Sequence, residues 1–244
     1  MSERALAVIG QAEVIAGYTT YVDLIKDMIH GKKIIATAMK KEVDRIQAAI
    51  EAALSGRRCA VISSGDPGIY AMAGLVFEIC RQKNIPVIRP GQKSVPGTLC
   101  LEIVPGIPAL ASGASLLGAP LTHDFACISL SDLLTPWDII EKRIEHAAIA
   151  DFVIVIFNPR SRKRDWQLGK AQEIILKHRS GNTPVGIVRN AMRDGQHVSI
   201  VPLKDLHKSE ADMLTTVFIG SSASEAYLDF MYTPRGYSGK YDIK

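Results

Sequence analysis

A single carboxylate in a glycine-lined turn is the first chemistry this sequence offers. Asp66 stands in Ser64-Gly65-Asp66-Pro67-Gly68, directly after the apolar run Cys59-Ala60-Val61-Ile62. The run reads as a short strand bounded by turn formers. Gly65 and Gly68 permit backbone geometry that a Cβ would obstruct, and Pro67 fixes one dihedral between them. A helix is expected from near Gly68, running from Ile69 to about Arg81. Two readings of Asp66 stand level: a ligand-facing carboxylate at the carboxyl end of a strand, where open α/β sheets bind ligands, or a cap for the following helix.

A second candidate is the cationic run Asn158-Pro159-Arg160-Ser161-Arg162-Lys163-Arg164, which follows the nearly all-apolar stretch Val153-Ile154-Val155-Ile156-Phe157. Such a run is most often a solvated face. Contact with nucleic acid is a second reading, and bidentate pairing of guanidinium with a polycarboxylate ligand a third; composition by itself favours the first. Of the six histidines, only His123, beside Asp124, stands out. No Ser-His-Asp order, phosphate-binding loop or Gly-x-Gly-x-x-Gly fingerprint is present, so a hydrolase or nucleotide-triphosphate reading lacks its parts.

The bulk properties narrow the class. The chain has 244 residues, 47% of them hydrophobic and 22% charged, with a formal net charge of +4. These values suit a globular protein with a real core, and the charge is too mild for a dedicated nucleic-acid binder. The four cysteines are widely spaced, with no Cys-x-x-Cys or Cys/His cluster. Buried reduced thiols are expected, without metal and without disulfides. No apolar run approaches the roughly 20 residues of a membrane span, and the first residues do not have signal-peptide order. The expectation is a cytoplasmic protein.

The elements that must carry these residues alternate. A helix capped by Ser2 is expected through Gln11, a strand over 13–17, a helix over 21–29 stopped by Gly31, and a strand over 34–36. The clearest amphipathic helix spans 41–54, with Val43, Ile46, Ile50 and Leu54 at helical spacing and Gly56 as its stop. Strands follow at 86–88 and 100–104, then a small-residue helix over 110–117 whose Ala, Ser and Gly allow tight packing on a sheet or space for a ligand. After Gly118-Ala119-Pro120 the pattern restarts: strand 125–130, a polar loop, helix 137–146, strand 153–157 and a helix to His178. Strands 184–189 and 197–201 are joined by the turn Arg193-Asp194-Gly195, and a last strand spans 215–219. The tail from Thr233 is polar and expected to be loosely held. Alternation of strand and helix means an α/β architecture: two α/β domains, 1–119 and 120–244, with a cleft between them.

Three motifs in order, Ser64-Gly65-Asp66-Pro67-Gly68, Val104-Pro105-Gly106-Ile107 and Asn158-Pro159-Arg160, make this sequence resemble the tetrapyrrole methylase family. The stretches His123-Asp124-Phe125, Ser129 to Trp137 and Gly17-Tyr18-Thr19-Thr20-Tyr21 are similar to its precorrin-3B C17-methyltransferase branch. The resemblance implies two α/β domains around a cofactor cleft and methylation of C17 of precorrin-3B or cobalt-factor III, with ring contraction, in cobalamin biosynthesis. It implies S-adenosyl-L-methionine as cofactor, a corrin-precursor substrate, a homodimer, and neither nucleic-acid nor membrane partners. Gly65, Asp66, Pro67, Ile69 and Tyr70 would hold the methionine part of the cofactor, and Ala109, Phe157, Asn190, Ala191 and Thr216 would border its adenosine part. Ser131, Asn158, Arg160 and Arg162 would meet the substrate, the two arginines at its carboxylates, and His123, Asp132 and Thr135 are the acid–base candidates. Two departures accompany the resemblance. The family's first strand and its glycine-rich loop are expected to be missing ahead of the first helix, and Pro108 stands where relatives often carry Ser or Thr. A ribosomal-RNA methylase of the same superfamily, or a binding protein impaired by the short N-terminus, are the alternative readings.

Overall fold

The computed structural model describes residues 1–93, 95–161 and 164–242. They divide into two compact units, Met1–Pro108 and Ala109–Lys244.

In the first unit, helix α1 (Glu3–Gln11) is capped by the Ser2 hydroxyl, which accepts from the Ala5 amide at 3.3 Å. Strand β1 (Val14–Tyr18) is followed by a short helix α2 (Thr19–Asp23), β2 (Lys33–Thr37), α3 (Glu42–Leu54) and β3 (Cys59–Ile62). The strands form a parallel sheet in the order β2-β1-β3. The central position of β1 explains its composition: Val14, Ile15 and Ala16 are wholly buried, as a parallel strand covered on both faces requires. Ile15 packs with Ile9, Val22, Ile25 and Ile29 in one core cluster. Ile46 and Ile50 of α3 pack in another with Val76, Ile79 and Cys80 of α4 (Ala73–Gln82). A small parallel pair, β4 (Val87–Ile88) and β5 (Leu99–Cys100), adds Leu99 to this cluster.

The second unit opens with α5 (Ala109–Leu117) and β6 (Gly118–Ala119), then β7 (Phe125–Ser129), α6 (Trp137–Ile149), β8 (Val153–Phe157), α7 (Gln167–Leu176), β9 (Pro184–Arg189), β10 (His197–Pro202) and β11 (Thr215–Ile219). Five strands pair in the order β10-β9-β11-β8-β7, with β7 and β8 parallel and the other pairs antiparallel. Alternation along the strands sorts two faces. Ile154, Ile156, Val217 and Ile219 face the apolar sides of α6 and α7. Val155, Val188 and Phe218 face Leu117 of α5. A hairpin of β12 (Glu225–Tyr227) and β13 (Phe230–Tyr232) pairs through β13 with β6.

Several elements differ from the sequence expectations, each for a local reason. The helix expected over 21–29 is only α2 plus a 3-10 turn at Lys26–Met28. The helix expected from Ile69 starts at Ala73, because Tyr70 has φ +51°, outside helical space. Of the expected strand 100–104, only Cys100 pairs, as the second residue of Leu99–Cys100. Val43 and Leu54 of α3 are exposed while Ile46 and Ile50 are buried: the apolar stripe is narrower than its spacing suggested. Cys100 is exposed, unlike Cys80, and none of the four cysteines is in a disulfide. Thr233 is not loosely held. It is 2% exposed, and its hydroxyl donates to Pro120 O at 2.8 Å and contacts the Ser224 hydroxyl at 2.7 Å. Gly118 and Ala119, which separate the two domains in the sequence reading, pair with Met231 and Tyr232.

The small residues of α5 serve close packing at one position in particular. A Cβ on Gly113 would lie 2.7 Å from the ring of Phe218, which is wholly buried. Gly113→Ala should therefore cost about 1–3 kcal/mol, since a filled core resists an added methyl. Urea unfolding should show a lower midpoint at an unchanged slope. A midpoint equal to wild type would contradict this packing.

Candidate functional site

The turn after β3 is built on Asp66. Its Oδ1 accepts from the Gly68 amide at 2.8 Å, and its Oδ2 accepts from the Gly106 amide at 2.9 Å. The first bond is the local turn that Asp forms with an amide two residues on. The second reaches 40 residues along the chain and ties two glycine motifs together. Helix α4 begins seven residues beyond Asp66 and has no side-chain cap, so the cap reading fails. Gly106 must be glycine because a Cβ there would stand 1.9 Å from Gly65 O, a backbone atom. Gly65 itself has φ +75°, a conformation that favours glycine. The Asp66 and Pro67 carbonyls accept from the amides of Ile69 (3.3 Å) and Ala73 (3.0 Å). Pro67 and Ile69 are half-buried, while Gly65, Gly68 and Tyr70 are exposed. The neighbouring segment 101–107 is pinned to α1: Arg4 donates to both oxygens of Glu102, at 2.7 and 2.5 Å.

In the second unit, the register places the carboxyl ends of β7, β8 and β9 at one edge of the sheet, with the amino end of β11. Ser129 pairs with Phe157, Ile156 with Val217, and Arg189 with Thr215. Phe157, Asn158, Asn190, Ala191, Thr216 and Ser131 all gather there. Asn158 and Asn190 end their strands with φ +52° and +50°, a region Asn tolerates better than most residues. The Ser129 hydroxyl accepts from Asn158 Nδ2 at 2.9 Å and from the Ser131 amide at 3.2 Å. Phe157 and Ala191 lie half-buried against the cluster that includes Leu110, next to Ala109 at the start of α5.

Arg160 reaches from this edge to the carbonyls of His207 and Ser209, both at 3.3 Å. Its Nε is buried with no hydrogen-bond partner. Arg160 lines a cavity of about 420 Å³ with Ser161, Ala211, Asp212, Met213 and Leu214. Arg162 lies outside the described residues. Asp132 is committed to holding structure: its Oδ2 accepts from Gln167 Nε2 at 2.9 Å, and its Oδ1 is 3.9 Å from Arg164 Nε. Thr135 is half-buried in the same loop, 131–136.

His123 is not brought to this edge. It precedes β7, at the opposite end of the strand from Ser129, a span of roughly 17 Å for five residues. Exposed there, its Nδ1 accepts from the Asp124 amide at 2.9 Å. It borders a separate cavity of about 220 Å³ with Asp151, Phe152 and Ser221.

Sequence reasoning did not single out Gly106 as the partner of Asp66, nor Arg164 and Gln167. The glycine in Val104-Pro105-Gly106 was a visible signal, but its partner lies far away in sequence. Nothing in the cationic run distinguished the buried Arg164 from its neighbours. Burial pushes the thiols of Cys59 and Cys127 up to about 11, so neither is a nucleophile at neutral pH. Among the described residues, no cluster of metal-ligating side chains occurs, and no helix is long and apolar enough to cross a membrane.

Comparison with known proteins decides the family. Residues 1–207 match the family model described as Tetrapyrrole (Corrin/Porphyrin) Methylases. The chain belongs to the tetrapyrrole methylase family. It is 49% identical over 243 residues to the cobalt-factor III methyltransferase of Priestia megaterium, covering 100% of this chain and 44% of that protein. It is 43% identical to the probable cobalt-factor III C(17)-methyltransferase of Salmonella typhimurium, covering 98% of this chain and 94% of the relative. The crystal structure of the methyltransferase CobJ matches with a TM-score of 0.85 at 36% identity, covering 96% of this chain and 93% of that one. The methylase fold is thus the α/β architecture read from the sequence.

Two outcomes test the bonds that hold this loop and the segment beside it, the Asp66 tie and the Arg4–Glu102 pair. Asp66→Asn keeps one acceptor oxygen and should lose one of the two amide bonds, costing about 1–2 kcal/mol. Hydrogen exchange at Gly68 or Gly106 should accelerate, and unchanged protection at both amides would contradict the tie. The Arg4 bond holds the Glu102 carboxyl below its ordinary 4.5. A depressed carboxyl stabilises above its unfolded pKa, and the contribution is lost as pH falls through the folded value. Wild type should therefore lose more thermal stability than Glu102→Gln as pH is lowered from 5 through and below about 4.5; parallel pH profiles would exclude this.

Proposed function

We propose that this chain methylates C17 of a corrin precursor, with contraction of the macrocycle, as a step of cobalamin biosynthesis, using S-adenosyl-L-methionine. The observation that carries the reading is the likeness over the whole chain, at 49% and 43% identity, to two proteins named for cobalt-factor III methylation. Those names favour the cobalt-loaded substrate over precorrin-3B, and leave little support for a ribosomal-RNA substrate.

The sulfonium donor brings an already activated methyl group, so the main task of the protein is alignment. Gly65, Pro67, Ile69 and Tyr70 would hold its methionine part with a turn whose shape Asp66 fixes. The fit is chemical: exposed glycine backbone and a left-handed Tyr70 offer main-chain groups at a strand end. Because both Asp66 oxygens already accept amides, its contribution is loop shape plus negative charge near a cationic ligand. Ala109, Phe157, Asn190, Ala191 and Thr216 would border the adenosine part. Arg160 supplies what a substrate carboxylate needs, a guanidinium that lines a cavity and is otherwise engaged, among the described residues, only by two 3.3 Å bonds to carbonyls. Acid–base help in ring contraction would come from Thr135 or Ser131 at this edge rather than from His123.

The test incubates the purified chain anaerobically with S-adenosyl-L-methionine and each tetrapyrrole, and follows the product by mass. One methyl should be gained, faster with cobalt-factor III. Arg160→Met should raise KM for the tetrapyrrole about 10- to 100-fold, as loss of a charged hydrogen bond predicts, with S-adenosylhomocysteine affinity within twofold. Asp66→Ala should weaken that affinity at least tenfold. Transfer to neither tetrapyrrole would overturn the reading.

A further inference from the structure

Arg164 is the most buried cation of the 158–164 run among the described residues, 8% exposed, and every polar contact it makes is internal. Its Nη1 donates to Leu130 O at 2.9 Å and to Asn158 O at 2.5 Å. Its Nη2 points at the Met213 sulfur, 3.4 Å away. The one carboxylate nearby, Asp132, stands at 3.9 Å, beyond hydrogen-bond length. Asp132 is in turn fixed by Gln167 from the first turn of α7. The Arg164 backbone is held independently by two bonds to Ser161, at 2.8 and 3.1 Å.

A guanidinium is an expensive way to fill a core. Taking it out of water costs far more than burying an apolar side chain, and a long, single ion pair offsets little of that cost. An apolar residue would pack as well beside Leu130 and Met213. What it could not do is donate to two main-chain carbonyls at once. Those carbonyls end two adjacent parallel strands and precede the segments that carry Ser131, Thr135 and Arg160. Asn158 follows the last residue of β8 with φ +52°, and its carbonyl, past the end of the strand, is met by Arg164.

We propose that Arg164 is the positioning residue of this edge: its Nη1 amino group clamps loop 131–136 to the end of β8, and so sets Ser131, Thr135 and Asn158 in one geometry toward the tetrapyrrole. The assignment of substrate to this edge rests on the function proposed above. The clamp itself rests only on the bonds just described. Both carbonyl bonds leave the single nitrogen Nη1, and lysine could reproduce them only in part, since its ammonium lacks the rigid guanidinium plane that aims Nη1 while Nη2 meets Met213.

The test uses Arg164→Met combined with Asp132→Asn, so that no carboxylate is left unpaired, alongside Arg164→Lys. Hydrogen exchange of peptides covering 129–137 should accelerate at least tenfold in the double variant, with peptides in β9 and β11 unchanged. KM for the tetrapyrrole should rise at least tenfold while S-adenosylhomocysteine affinity stays within twofold. Arg164→Lys should fall between the double variant and wild type in both readouts. Unchanged exchange over 129–137 overturns the clamp, and so does full rescue by Lys. Faster exchange with unchanged KM and kcat overturns the positioning role, as does a uniform loss of folded protein whose remaining fraction has wild-type kinetics. If wild type methylates no tetrapyrrole, the proposed function falls, and the clamp is decided by exchange, which needs no substrate.

Discussion

Both oxygens of one carboxylate decide the shape of the first unit's ligand-type loop. Asp66 accepts one amide from its own turn and one from Gly106, so two segments 40 residues apart become a single object. The approach this allows is close enough that only glycine fits at 106. Beyond that tie the loop runs on to Ala73, where α4 starts, with Tyr70 exposed and at φ +51°. A charged acceptor bonded to main-chain amides makes the stronger kind of hydrogen bond, which suits a loop with few apolar contacts to hold it.

In the second unit the equivalent constraint is the register of a buried sheet. Val153 to Ile156 and Val217 to Ile219 have no exposed surface, so a one-residue slip would exchange the two faces and is forbidden. That register fixes which strand ends share an edge. It collects Ser129, Phe157, Asn158, Asn190 and Thr216, and it holds His123 a strand's length away. A residue conspicuous in sequence can thus be excluded from a site by the geometry of one strand.

The cationic run shows how tertiary structure divides charges that look alike. Arg164 turns inward to the Leu130 and Asn158 carbonyls, whereas Arg160 lines a cavity and reaches the carbonyls of His207 and Ser209. Solvated face and ligand contact were alternatives for the run as a whole. The structure separates them residue by residue, and Arg164 is not solvated but bonded to main-chain carbonyls.

By itself, the sequence determined the α/β alternation, strands 59–62, 153–157, 184–189 and 215–219 to the residue, and the Gly-Asp-Pro turn. Strong local signals carry these: continuous β-branched runs are buried whatever surrounds them, and Gly and Pro restrict backbone torsion without reference to distant partners. Only the tertiary structure decided that Asp66 binds Gly106, that Thr233 is buried, that Val43 and Leu54 are exposed, and that Arg164 is enclosed. Each of those outcomes depends on a partner far along the chain, and sequence spacing carries no information about which distant group will arrive or which face it will cover.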